Sequence, residues 1–229
     1  MRILRNGSRG LEVEFMQRLL VRADARENAD TPFYGEDGIF GAETERAVRA
    51  LQRRRGGLTV DGVVGPRTWT ALGLRAQREH PIRLYGQPTG MTCWSAAATM
   101  ILGTNMSVGQ GSATTGSEGG LSPSIENVTA FGQGLGWSMP NATPNVPALV
   151  AMLMRTPLWL CARHSTGRHA VVLSGVYSDG DASGVGTMVR IHDPWPRGQG
   201  AVYGSYLQPL ILRNGQSRYV ASLELLLVP

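Results

Sequence analysis

At 229 residues the chain can hold one large or two small domains, and its 42% hydrophobic share is ordinary for a globular protein. No run of 18 or more apolar residues occurs, so no membrane span is expected, and two cysteines, Cys93 and Cys161, are too few for a disulfide-stapled scaffold. All 22 basic residues are arginine, and the net charge of +5 sits mostly in residues 1–78, where 14 Arg face 10 acids, against 8 and 7 in the remainder. Such a surface suits an anionic polymer. The one dense cluster, Arg53-Arg54-Arg55, reads as a solvated helix end where cations suit the helix dipole, and no nucleic-acid motif is present. The opening Met1-Arg2-Ile3-Leu4-Arg5-Asn6-Gly7 carries charge but no apolar segment, and does not read as a signal peptide.

Residues 1–75 contain an internal repeat. Asp37-Gly38-Ile39-Phe40-Gly41-Ala42-Glu43-Thr44 recurs as Asp61-Gly62-Val63-Val64-Gly65-Pro66-Arg67-Thr68. Each copy opens on an Asp-Gly turn, where glycine supplies the positive φ, and leads into a helix. Pro66 fits a first helical position. Apolar spacing predicts three helices: Gly10–Ala23, with Val13, Met16, Leu19 and Leu20 inward; Ala42–Arg54, with Ala47, Val48 and Leu51 inward; and Pro66–Leu72, with Trp69 and Leu72 inward. Met16-Gln17 and Leu51-Gln52 each end an apolar face on a glutamine. The sum is a small all-α three-helix bundle, in which the Asp-Gly turns are read as structural. The words Gly7-Ser8-Arg9-Gly10-x2-Val13-x2-Met16-Gln17, the first repeat through Leu51-Gln52, and the second through Trp69-x2-Leu72 resemble the peptidoglycan-binding domain of bacterial wall hydrolases. Residues 24–36 make a longer polar connection than that family usually has. The resemblance implies wall docking, without assigning ligand contacts residue by residue.

Residues 76–82 read as a short, semi-rigid linker, with His80 at the surface. Gln87-Pro88-Thr89-Gly90-Met91-Thr92-Cys93-Trp94 then begins as a loop and ends as a helix, with Trp94, Ala97, Ala98, Ile101 and Leu102 on one face. Thr92 is the expected cap. Cys93 falls in the first turn, where unpaired N–H groups and the helix dipole favour a thiolate. The Gln87 amide, six residues upstream, is in reach of a developing oxyanion. Gly103–Gly120 is a long polar loop expected to wall a cleft. A helix from Ser124 as cap to about Gly132 and one over Val146–Met154 follow, with Met152 and Met154 as core filler. From Pro157 the pattern turns to strands: Leu158–Arg163, His169–Tyr177, Val185–His192 and Tyr219–Val228. Ser178-Asp179-Gly180-Asp181 and Arg213-Asn214-Gly215-Gln216 form turns between them, with the aspartates solvated. Helices first and antiparallel strands after is the α+β order.

The string Gln87-x5-Cys93-Trp94, then Gly167-Arg168-His169-Ala170-Val171-Val172, then Ile191-His192-Asp193-Pro194-Trp195 resembles the papain-like cysteine peptidases, over residues 83–229. In that order the resemblance implies a papain-like α+β domain, Cys93 as nucleophile, His169 as base and Asp193 as its orienter. It also implies Gln87 in the oxyanion hole and Trp94 as support for the substrate cleft. His164 is the competing histidine but sits in a turn-like context. His192 adjoins Asp193; neighbours on a strand face opposite ways, so one of the two points at the site, and the resemblance selects Asp193. Cys161-x2-His164 and His164-x4-His169 do not complete a metal-ligand set, so neither metal nor cofactor is expected.

Together the two resemblances imply residues 1–75 as a peptidoglycan-binding domain, 76–82 as a linker and 83–229 as a peptidase domain. The expected function is cysteine-dependent cleavage of a peptide or amide bond in peptidoglycan by a secreted antibacterial effector or a lysis enzyme. The alternative is a papain-like protease or toxin that cuts a protein. Expected partners are peptidoglycan, a peptide or protein substrate, and, for an injected effector, a secretion machine and an immunity or inhibitor protein; no nucleic acid is expected. The expected location is the periplasm or wall, reached without a recognisable signal peptide, or the cytoplasm before export.

Overall fold

The computed structural model describes residues 1–27, 29, 33, 35–104, 119–164, 167–207, 210–214 and 217–229. Two compact units emerge, Met1–Gln77 with Tyr177–Asp181, and Arg78–Val176 with Ala182–Pro229.

The first unit holds α1 (Leu11–Arg26), α2 (Ala42–Arg55) and α3 (Pro66–Ala71). Val13, Phe15, Met16, Leu19, Val48 and Leu51 are wholly buried between them. Phe15 stacks on Trp69 with ring centroids 6.3 Å apart. The repeat in the sequence becomes a repeat of polar anchors. Gln17 is 1% exposed; its Nε2 donates to Asp37 Oδ1 (2.8 Å), the Ile39 carbonyl and Thr44 Oγ1, while its Oε1 accepts from the Gly38 N–H (2.9 Å). Gln52 repeats every bond with Asp61, Val63, Thr68 and Gly62. Each amide thus ties a helix to an Asp-Gly turn whose glycine has positive φ, and leaves no buried donor unmet. Arg53, Arg54 and Arg55 are exposed in the last turn of α2, as expected, and Arg54 also pairs with Asp24 and Glu27, and Arg55 with Glu27. Asp179, expected in solvent, has a fully buried side chain in this unit, where Arg22 (3.0 Å) and Arg26 (2.8 Å) meet it. Burial works against its carboxylate, but the Asp181 N–H and the two guanidinium groups hold it below the usual range.

The remaining elements are β1 (Ala76–Glu79), α4 (Cys93–Leu102), α5 (Ile125–Gly134), α6 (Val146–Leu153), β2 (Leu158–His164), β3 (Gly167–Ser178), β4 (Thr187–Asp193), β5 (Ala201–Tyr206), β6 (Leu210–Asn214) and β7 (Ser217–Leu227). The strands form one sheet in the order β5-β4-β3-β2-β7-β6, and β1 pairs with β3. The pairings β2–β3, β2–β7, β4–β5 and β6–β7 are antiparallel. The protein is therefore α+β: helices first, an antiparallel sheet after.

Apolar layers cover both faces of the sheet, so its central strands read as continuous apolar runs. Trp159, Cys161, Ala170, Val172, Leu225 and Leu227 pack with Trp94 of α4 and Phe131 of α5. The alternate residues Leu158, Leu160, Val171, Leu173 and Leu226 pack with Leu149 and Leu153 of α6. Phe131 meets Trp94 edge-on at 5.1 Å. Gly132 lets α5 lie against the sheet, since a Cβ there would come within 2.7 Å of Leu227. Ser124 caps α5 through its hydroxyl, which accepts from the Asn127 N–H, and Asn145 caps α6 through its amide oxygen, which accepts from the Ala148 N–H.

Three expectations change. Residues 76–79 form a strand. His80 is buried, and its Nε2 lies 2.8 Å from the carbonyl oxygen of Leu153, an otherwise orphaned acceptor at the C-terminus of α6. Met154 is 39% exposed and fills no core, although Met152 does pack against it. The expected loop Gly103–Gly120 lies outside the described residues over 105–118, as do Gly215 and Gln216 of the last turn.

Candidate active site

Cys93 opens α4 and is half-buried at the start of the helix that packs on the sheet. Thr92 occupies the cap position, but its hydroxyl makes no cap bond: it donates to the Thr89 carbonyl (3.3 Å) and accepts from the Thr89 N–H (3.1 Å). That closes the loop before Cys93 and leaves the first-turn N–H groups without a side-chain cap. His169 and the N–H groups of Ala170 and Trp94 lie around the thiol and favour its thiolate.

His169 stands near the start of β3, 6% exposed. Its Nε2 lies 2.6 Å from Asp193 Oδ1 at the end of β4. With that nitrogen engaged, Nδ1 is the one turned to Cys93. Asp193 is wholly buried, and every bond to it fixes its plane: Oδ1 also accepts from the Trp195 N–H (2.8 Å), and Oδ2 from the Tyr203 hydroxyl (2.8 Å). Tyr203, on β5, is missed by the sequence reading; no local pattern marks a tyrosine that acts across a strand pair.

Burial works against the thiolate of Cys93, but His169 and the two N–H groups outweigh it and hold the thiol below its ordinary range. Burial also works against the imidazolium, and is outweighed by the bonds to Asp193 and Cys93, which push His169 up to about 10. Each partner stabilises the other's charged form. Cys161 differs: burial and the neighbouring Cys93 push it up to about 12.

Gln87 is 1% exposed. Its backbone is stapled to the loop after β4, with its N–H on the Pro194 carbonyl (2.9 Å) and its carbonyl taking the Gly198 N–H (2.9 Å). Gly86 permits this approach; a Cβ there would come within 2.4 Å of the Gln199 nitrogen. The Gln87 Nε2 donates to the Thr89 carbonyl (2.7 Å), which fixes the amide's orientation, and Oε1 is buried with no partner among the described residues. Trp94 anchors its indole N–H on the Gly119 carbonyl (2.8 Å).

Cys93, His169, Gln87 and Trp94 line one cleft of about 460 Å³, whose other walls include Met91, Leu121, Trp159 and Trp195. The competing histidines are elsewhere. His192 faces away from Asp193, with Nδ1 2.8 Å from Ser174 Oγ, and burial lowers it to about 4. His164 ends β2 rather than lying in a turn. Among the described residues no group of three or more His, Cys, Asp or Glu is placed to hold a metal ion, and no helix is long and apolar enough to cross a membrane.

A family model described as papain-like cysteine protease AvrRpt2 matches residues 75–205, more than half of the chain. The chain belongs to this papain-like cysteine protease family. A second family model, described as a peptidoglycan binding domain, matches residues 9–72 of this papain-like protein. The chain is similar to N-acetylmuramoyl-L-alanine amidase CwlL of Bacillus licheniformis, with 39% identity over 80 residues, 34% of this chain and 21% of that protein. It is similar to a second protein of the same organism, described as a probable N-acetylmuramoyl-L-alanine amidase, with 41% identity over 70 residues, 31% of this chain and 18% of that one. The chain thus spans about a fifth of the length of these relatives. Among solved structures, the Burkholderia AP3 phage endolysin shares 40% identity over 31% of this chain and 25% of its own, at a TM-score of 0.27.

Proposed function

We propose that this protein is a cysteine-dependent hydrolase that cuts a peptide or amide bond in bacterial peptidoglycan. The observation that carries the reading is the series Cys93–His169–Asp193, in which Cys93 and His169 line one cleft and the buried Asp193 bonds His169, in a chain that also carries a peptidoglycan-binding domain. In this reading the Cys93 thiolate attacks the scissile carbonyl carbon, and the imidazolium of His169 gives its proton to the leaving amine. A water, deprotonated by His169, then releases the acyl group from Cys93. Asp193 keeps the imidazole oriented. The second hydrogen of the Gln87 amide and the Cys93 N–H stabilise the oxyanion, and Trp94 supports the cleft wall.

Residues 1–75 dock on the wall, 76–82 join, and 83–229 carry the chemistry. Docking raises the local concentration of wall substrate. The protein acts in the periplasm or wall, as an antibacterial effector delivered by a secretion machine and matched by an immunity protein, or as a lysis enzyme. The second reading, a protein substrate for a protease toxin, is favoured by the description of the family as a protease. Incubation with purified sacculi and, separately, with an unfolded protein distinguishes the two. New amino groups from sacculi alone support the wall reading; new amino groups from the unfolded protein alone overturn it.

A further inference from the structure

The cleft beside Cys93 is lined mostly by apolar side chains and glycine, and apart from His169 and the thiol, Arg168 is the one charged residue among its described lining residues. Arg168 precedes His169 on β3 and shares a sheet face with Ala170 and Val172, the face on which α4 packs. Its side chain is one-third exposed. Nε lies 2.7 Å from Glu224 Oε2, and Nη2 lies 3.0 Å from Glu224 Oε1. Arg163 reaches the same carboxylate. The trio therefore carries one net positive charge, since Arg168 and Arg163 hold Glu224 down at about 2.

The backbone is shaped for this arrangement. In the β2–β7 pairing, Cys161 stands opposite Leu225 and Ala162 opposite Leu223, so Glu224 is the extra residue of a β-bulge. A bulge re-aims the side chain of its extra residue, and is common beside active sites. Here it turns Glu224 onto the fork of Arg168. Glu224 takes Nε and Nη2; Nη1 bonds no described residue.

We propose that Arg168 is a specificity-determining residue, which holds a free carboxylate of the substrate peptide next to the bond that Cys93 attacks. The inference rests on the proposed reading of Cys93 as the nucleophile. The substrate class is a peptide with an acidic group beside the scissile bond and apolar or small groups in the cleft. An acidic stem peptide of the wall belongs to this class. An amidated one does not. Glu224 acts as the positioning residue: it fixes the plane of the guanidinium and leaves its outer edge for the incoming carboxylate, for which a planar fork is suited.

Two alkylating probes of nearly equal size test this on the full chain. Iodoacetate carries a carboxylate where iodoacetamide carries an amide, and both label Cys93. His169 favours the anionic probe in every variant, so the informative quantity is the change in the ratio of the two rates. Arg168→Gln is expected to lower the ratio by about fivefold at low salt, the Coulomb effect of one partly exposed charge. The iodoacetamide rate should stay within about twofold, because the thiolate is intact. Arg168→Lys should restore most of the ratio. An unchanged ratio in Arg168→Gln, or an equal fall in both rates, overturns the proposal; the second result marks Arg168 as structural only. Soluble wall peptides with a free or an amidated acid then give the matching KM difference. If sacculi are not cut while the ratio responds as stated, the wall reading fails and the role of Arg168 stands.

Discussion

His169 Nε2 and Asp193 Oδ1 lie 2.6 Å apart, bringing together the start of β3 and the end of β4. The contact is buried on both sides, and Asp193 is held by two further donors, the Trp195 N–H and the Tyr203 hydroxyl. The imidazole therefore has one orientation, with its other nitrogen on Cys93. Loss of one supporting donor should loosen that orientation without removing the charge. Tyr203→Phe deletes one charge-assisted bond, and kcat is expected to fall by roughly tenfold, about 1.5 kcal/mol. His169→Ala should cost on the order of a thousandfold or more, and as much as Cys93→Ala, since the two act as a unit. Asp193→Asn should fall between, because an amide oxygen still accepts from His169. His192→Ala should lower stability with little change in kcat. Steady-state kinetics on the five variants checks the ranking; a more severe effect on kcat from His192→Ala than from His169→Ala would refute the assignment.

Reactivity should separate the two cysteines by pH. Cys93 is held below its ordinary value of 9.0, and Cys161 is pushed up to about 12. Iodoacetamide is therefore expected to label Cys93 at neutral pH and to leave Cys161 unmodified there. His169 lies at about 10 in the folded chain against an ordinary 6.5. The stability its charge contributes is thus complete below about pH 6.5, and is lost as pH rises through about 10. The labelling rate across pH, read by mass spectrometry, tests the first point; equal labelling of both thiols at pH 7 contradicts it.

The two glutamine anchors of the first unit should matter for stability and not for chemistry. Gln17→Ala and Gln52→Ala each strand a buried glycine N–H, and each is expected to cost about 1–3 kcal/mol. The readout is urea unfolding of the full chain. Turnover of a small soluble peptide should be unchanged under native conditions. An effect below about 0.5 kcal/mol for either would show that the turns hold without their anchors.

Those anchors explain why the first unit is legible from sequence. Asp37-Gly38 and Asp61-Gly62 declare local turns, and helical spacing from Val13 to Leu72 declares the core. The alternating partners of β2, β3 and β7 are legible for a related reason: a sheet buried on both faces needs continuous apolar runs. Non-local polar partners are not legible. His80 sits among polar neighbours, and its acceptor, Leu153, lies 73 residues away. Asp179 lies in a turn composition that reads as solvated, and its partners Arg22 and Arg26 are one helical turn apart on α1. β1, Ala-Gln-Arg-Glu, has no apolar face to announce it. Tyr203 is visible only once β5 is paired with β4, and Glu224 only once the bulge on β7 is placed.

The central claim is that Cys93 performs hydrolysis on the wall. Its most direct test is the release of new amino groups from purified sacculi by the wild-type chain and by Cys93→Ala, with sacculus binding measured on the same samples. Wild type is expected to release amines steadily. Cys93→Ala is expected to bind sacculi equally and to release amines on the order of a thousandfold more slowly, because only the nucleophile is gone. Equal release by the two proteins, or no release by a wild-type chain that binds sacculi normally, would contradict the account.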